Sequence, residues 1–194
     1  DVLRNVVLNG KSAADLGGVP RESWGRFLAE RYPAEHLAAV LTADPGSVAG
    51  AEVLPPDVNW SGRDFTAVGT DVRYGLGAVR FVVDEVVDAI LRAREERGRF
   101  VDFFDFLRRV DLVACDRKVV EALVKAGAFD SLGHPRKGLH LVHGRAVDAV
   151  VAARLAEESG QFGLFGGEEF DVVVPDESWR PEERAAAERE VLEF

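Results

Sequence analysis

Apolar residues along positions 22–42 fall at Trp24, Phe27, Leu28, Leu37, Val40 and Leu41, the spacing of a helical face. Pro33 interrupts this run. It predicts a short helix, a break at Tyr32 and a second helix with Pro33 in its first turn, where its missing N–H costs nothing. The stretch TADPGSVAGAE that follows reads as a linker. VLPPDVNWSGRDF (53–65) reads as extended chain, because Pro55 and Pro56 exclude helix at Leu54 and disfavour a strand interior. Beyond it, FTAV and VRYGL flank Gly69-Thr70-Asp71, the pattern of a β-hairpin.

Three helices are predicted next. Asp84–Arg97 places Val86, Val87, Ile90 and Leu91 on one face, and residues 102–110 offer Phe103, Phe106, Leu107 and Val110. Asp116 is suited to N-cap a helix with Val119, Val120, Leu123 and Val124 inward, and Gly127 to end it as C-cap. A further helix is expected from about Leu139 to Glu158. A glycine-rich loop GQFGLFGG (160–167), a short strand FDVVV (170–174) and an acidic helix opening with Pro181 at its first position complete the chain. The fold class is mainly α with one small β-hairpin.

Composition sets outer limits. With 47% apolar residues over 194 positions, a packed core is expected. There is no run of 18 apolar residues, so no membrane span is predicted. The single cysteine, Cys115, excludes an internal disulfide and suits a reducing compartment. The formal net charge of −10 argues against nucleic acid, but it is unevenly spread. Residues 1–72 have a net charge of −4, residues 73–140 carry 13 basic against 11 acidic groups, and residues 141–194 have a net charge of −8. Only the middle can face phosphates without general repulsion.

The loop GQFGLFGG raises its own question, because Leu164 and Phe165 stand between glycines that rule out a regular element. On the residues alone, the pair either tucks into the chain's own core or awaits a partner's pocket.

RYPAEHLAAVLT (31–42), VLPPDVNWSGRDF (53–65), VRYGLGAVR (72–80), GRFVDFFDFLRRVD (98–111), VVEALVKAGAFDSLGHPRKGL (119–139) and GQFGLFG (160–166) together resemble the alpha subunit of bacterial DNA polymerase III, most nearly its actinobacterial members. The resemblance spans roughly residues 28–192, in the family's order. It implies an N-terminal segment (1–52) like the end of the fingers. A tandem helix-hairpin-helix module that binds DNA would occupy 53–138. Residues 139–194 would form a helix, a clamp-binding loop and an acidic arm. The family's clamp-binding pattern Q-x-x-L-F falls on Gln161, Leu164 and Phe165, which would insert into an apolar pocket of the sliding clamp. Burying two such side chains is worth about 1.5–3 kcal/mol each before the cost of ordering the loop. Candidate DNA contacts are Arg80, Lys125, Gly127, Arg136 and Lys137.

The palm aspartates of the family lie upstream of anything present, so no catalytic residue is expected and magnesium belongs to the parent enzyme. Duplex DNA, the sliding clamp and the remaining replicase subunits are the implied partners. The implied compartment is the cytoplasm, with no membrane involved. The implied role is non-catalytic: positioning duplex DNA and tethering the polymerase to the clamp. A free-standing paralogue acting as a clamp-binding regulator or decoy, and a helical domain with no replication role, are the alternatives.

The chain also departs from the family. Val82 and Val83 stand where the first hairpin usually has a Val-Gly pair, and β-branched residues resist positive φ, so that hairpin is expected to be distorted or to have lost its phosphate grip. The chain begins at Asp1 rather than Met, residues 43–51 are shorter than the family pattern, and the chain stops at Phe194. These features fit an excised fragment, a truncated gene or a decayed paralogue. Asp102 and Asp105 are expected to cap or solvate their helix rather than bind metal. Arg108 and Arg109 suit the helix C-terminal dipole. His134, His140 and His143 lack the further ligand a zinc site needs. Cys115 is expected to be buried or to sit beside a cap.

Overall fold

The computed structural model describes residues 24–43, 52–158 and 172–192. Two short helices open it, α1 (Trp24–Arg31) and α2 (Pro33–Ala43), broken at Tyr32 as Pro33 demands. A small sheet follows, formed by β1 (Val53–Leu54), β2 (Thr66–Val68) and β3 (Asp71–Arg73) in the order β1-β3-β2. The antiparallel β2–β3 pair is the expected hairpin, with Ala67 opposite Val72. The parallel β1–β3 pair, with Val53 opposite Val72, was not expected. Pro55 and Pro56 restrict β1 to two residues, so the strand stops where its N–H donors run out.

The helical body contains α3 (Asp84–Arg97), α4 (Phe103–Arg109), α5 (Arg117–Ala126), α6 (Arg136–Glu158) and α7 (Pro181–Val191). Both predicted caps are present. The Asp116 carboxylate accepts from the N–H groups of Lys118 and Val119, and Gly127 ends α5 in the left-handed region with φ +85°. Asp102 caps α4 by accepting from Asp105 N–H at 2.7 Å, and the Asp105 carboxylate pairs with Arg109 at 2.9 Å. Both aspartates therefore serve their helix, as expected. Helix α6 begins at Arg136, three residues before the predicted start. The predicted strand at 170–174 is corrected: Val172, Val173 and Val174 run without strand or helix, and residues 170 and 171 lie outside the described residues. That run is held by a different contact. Gly138 N–H donates to the Glu177 carbonyl at 3.0 Å, and any Cβ at Gly138 would strike the Pro175 carbonyl oxygen.

The core lies where the helices meet the sheet. Phe100, Phe103, Phe106 and Phe129 pack edge to face with centroids 4.9–5.1 Å apart, the arrangement aromatic quadrupoles favour. Phe65 and Tyr74, which flank the hairpin strands, pack on each other at 4.5 Å and belong to the same buried cluster. The DVNWS segment has a structural role that its extended reading did not reveal. The Asn59 side-chain amide donates to the Phe100 carbonyl at 2.9 Å and accepts from Phe100 N–H at 2.8 Å, while Ser61 Oγ donates to the Tyr74 carbonyl at 2.8 Å. Asp57, Asn59 and Ser61 are all buried; the Asp57 carboxylate accepts from Asn59 N–H at 2.7 Å and Asp57 N–H donates to Ser61 Oγ at 2.9 Å, so these residues and the irregular backbone around them are satisfied.

Arg109 is nearly buried: its guanidinium lies 4.7 Å from the Phe100 ring centroid and donates to the Ala93 carbonyl at 2.8 Å. Arg154 donates to the Leu107 carbonyl at 2.8 Å and the Val110 carbonyl at 2.7 Å, so it caps the end of α4 from across the fold. Cys115 is buried next to the Asp116 cap, where burial raises its thiol pKa despite the nearby Arg154. No described helix is long and apolar enough to cross a membrane.

Candidate nucleic-acid interface

The first hairpin joins the short turn Leu76–Ala78 to α3. Its left-handed residue is Phe81, with φ +70°, while Val83 is extended at φ −79° and ψ 169°. The expectation placed the conformational problem at Val82 and Val83. The chain instead keeps a left-handed turn and places an aromatic residue in it. Val82 points inward and is buried, while Phe81 and Val83 are 53% and 56% exposed. Two bonds hold the turn: Arg80 N–H donates to the Val191 carbonyl at 2.9 Å, and Val82 N–H to the Val79 carbonyl at 3.0 Å.

The second turn follows α5 at Gly127. Here a side chain occupies the open face of the glycine, because a Cβ on Gly127 would overlap the Arg136 guanidinium. Arg136 is only 8% exposed and is tied at 2.7 Å to both Asp130 oxygens and at 2.6 Å to Glu188. Burial opposes its charge, but the hydrogen bonds it donates to Asp130 and Glu188 outweigh that and raise its pKa. Lys125 is paired with Glu121 at 2.9 Å and Glu190 at 2.6 Å; burial again opposes the charge, and the two carboxylates more than offset it. Lys137 pairs with Glu177 at 2.8 Å. Three of the four candidate cations are therefore held by carboxylates of residues 172–192, the described part of the acidic arm.

Arg80 is exposed, its guanidinium 5.4 Å from the Phe81 ring centroid. Lys118 on α5 is exposed as well and makes no ion pair among the described residues. Sequence reasoning did not single it out. Its position just behind the Asp116 cap is the only local signal, and that signal concerned the helix rather than DNA. A groove of about 320 Å³ lies between the first turn and α5, lined by Arg80 and Phe81 from the turn, by Lys118, Glu121, Ala122 and Lys125 from α5, and by Glu190 and Val191 from α7. Gln161, Leu164 and Phe165 lie outside the described residues. No group of three metal-ligating side chains occurs among the described residues. His140 and His143 stack at 5.5 Å, and burial together with the neighbouring His143 lowers the pKa of His140.

A family model described as helix-hairpin-helix motif matches residues 50–139. The chain is 46% identical over 205 aligned positions to DNA polymerase III subunit alpha of Mycobacterium tuberculosis, covering 95% of this chain and 17% of that protein. This chain belongs to the DNA polymerase III alpha subunit family. The same subunit of Mycobacterium leprae is 46% identical over 87% of this chain, and that of Escherichia coli K12 is 37% identical over 72% of it. The chain spans only 13–17% of the length of these polymerase III alpha relatives. Identity is higher with the two actinobacterial proteins, in line with the resemblance read from the sequence.

Proposed function

We propose that this segment is a non-catalytic part of a replicative DNA polymerase that positions duplex DNA and tethers the enzyme to its sliding clamp. The helix-hairpin-helix match and the family support DNA binding. The observation that carries the reading is the groove between the first turn and α5, which gathers Arg80, Lys118 and Lys125 at one surface. Phosphates are recognised there by charge rather than by base edges, so binding is independent of sequence. It is also weak, because Glu190 neutralises Lys125, and Glu188 and Glu177 hold Arg136 and Lys137. The clamp function rests on Gln161, Leu164 and Phe165 and on the order of motifs shared with the family. A glutamine amide that fixes register beside two apolar anchors suits an extended peptide seated in an apolar pocket.

Fluorescence anisotropy with a labelled duplex of about 20 base pairs tests the DNA reading. Binding should weaken steeply as salt rises from about 50 to 200 mM, and Arg80→Ala with Lys118→Ala should abolish most of it. Nanomolar binding at physiological salt, or binding indifferent to salt, would show that the electrostatic account is wrong. With a primed template, magnesium and nucleotides, the chain alone should extend nothing above a no-protein control.

A further inference from the structure

We propose that Phe81 is a stacking platform for an unpaired DNA base at the groove between the first turn and α5, an inference that rests on the DNA-binding reading above. A bulky L-residue at φ +70° is a rare and strained choice. The strain is imposed from both sides, by Arg80 N–H bonded to the Val191 carbonyl and by Val82 buried beneath the turn. It is not repaid by packing, because the Phe81 ring remains 53% exposed. The Arg80 guanidinium lies 5.4 Å from the ring centroid.

The surroundings select the ligand. Phe81 stands at one rim of the groove, Ala122 and Val191 supply apolar lining, and the cations are Arg80, Lys118 and Lys125. Glu121 and Glu190 line the groove as well and pair with Lys125, so three cations against two carboxylates leave it a net charge of +1, with Arg80 and Lys118 outside any ion pair among the described residues. Asp84 and Glu85 line the adjoining cleft on the other side of Arg80 and Phe81, where Asp84 is paired with Arg63. An exposed aromatic face next to two free cations matches a nucleotide whose base stacks and whose phosphate is neutralised. A base pair inside a duplex offers no free face, and a terminal pair offers only the blunt end, so the proposed occupant is an unpaired nucleotide at the end of, or beside, a duplex, with the blunt duplex as the alternative the test separates. An apolar peptide would leave both cations unanswered.

The test uses the 194-residue chain and a duplex carrying a short single-stranded overhang with 2-aminopurine at its first unpaired position. A blunt duplex of equal length is the control. Binding of the wild-type chain should quench the 2-aminopurine. Phe81→Gly keeps the left-handed turn and removes the ring, so its melting temperature should not fall. It should abolish the quench and weaken overhang binding roughly five- to thirty-fold. Blunt-duplex affinity should hold or rise, and Phe81→Trp should retain the quench. If the wild type binds both substrates equally without quenching, or Phe81→Gly binds the overhang as well as wild type does, stacking is refuted and the duplex reading stands. If neither DNA binds, both readings fall together.

Discussion

The guanidinium of Arg136 fills the space that a side chain on Gly127 would need. The glycine that ends α5 is therefore required twice, once for φ +85° and once for this close approach. Arg136 cannot step aside cheaply, since Asp130 and Glu188 grip it from two sides. Gly127→Ala should cost at least about 1–2 kcal/mol from the left-handed backbone alone, and more from displacing a paired, nearly buried cation. A thermal melt should show a drop of several degrees. An unchanged melt would mean that Arg136 has another resting place.

Glu188 and Glu190 hold Arg136 and Lys125 from α7, so they compete with any phosphate for the same cations. Glu188→Gln with Glu190→Gln should tighten duplex binding at low salt and steepen its salt dependence, because two repelling charges are removed and Lys125 keeps only Glu121, while Arg136 stays held by Asp130. The same change should lower stability by about 1 kcal/mol through loss of charged hydrogen bonds. Anisotropy over a salt series and a melt measure the two effects separately. Weaker DNA binding would show that the arm shapes the interface rather than competing with it.

Acid should loosen the contact between α6 and the residue 172–180 segment through His140. Its ring sits 5.4 Å from Trp179 and 5.5 Å from His143, with Nδ1 buried and unpartnered. Burial, then the nearby His143, depresses its pKa below the ordinary 6.5; Glu121 and Glu190 partly counter this, and Lys125 adds to it. The unfolded chain therefore takes up the proton first as pH falls. The stability His140 contributes is complete above about pH 6.5 and is lost below it. The melting temperature should fall between pH 7.5 and 5.5, and His140→Gln should flatten that fall. The Glu121 carboxylate, held low chiefly by its hydrogen bond from Lys125, acts nearer pH 4.5 and does not mimic the effect.

Local chemistry in this chain was legible where a single residue type decides the outcome. Pro33 broke the first two helices, Asp116 and Gly127 bounded α5, and Pro181 opened α7. What escaped was non-local. Nothing near Asn59 in the sequence points to Phe100, 41 residues away, whose backbone its side chain satisfies. Arg136 and Lys125 each have one carboxylate partner close in sequence, Asp130 and Glu121, but the second partner that completes each cage lies 52 and 65 residues further on, in the acidic arm. The missing glycine of the first hairpin was noticed, but the strain fell on Phe81 rather than on the valines. Backbone dihedrals are set by the whole turn, and Val82 is claimed by the core.

The pair Leu164 and Phe165 lies outside the described residues, and its role can still be decided by experiment. If the two side chains await a partner's pocket, removing them should leave the fold intact. If they fill this chain's own core, truncation to alanine should cost about 2–5 kcal/mol for each. Leu164→Ala with Phe165→Ala should therefore leave the melting temperature almost unchanged and remove most of the affinity for the cognate sliding clamp, measured by surface plasmon resonance. Wild-type affinity should be on the order of micromolar, roughly −8 kcal/mol, since ordering a glycine-rich loop offsets part of the gain from two buried anchors. Gln161→Ala should cost less, because the amide fixes register while the apolar pair supplies the buried area. Proline at Gly166 and Gly167 should weaken binding less than loss of the anchors, since it stiffens the approach without removing a contact. A large fall in stability with clamp binding intact would place the pair in the core and remove the tether from the proposed function.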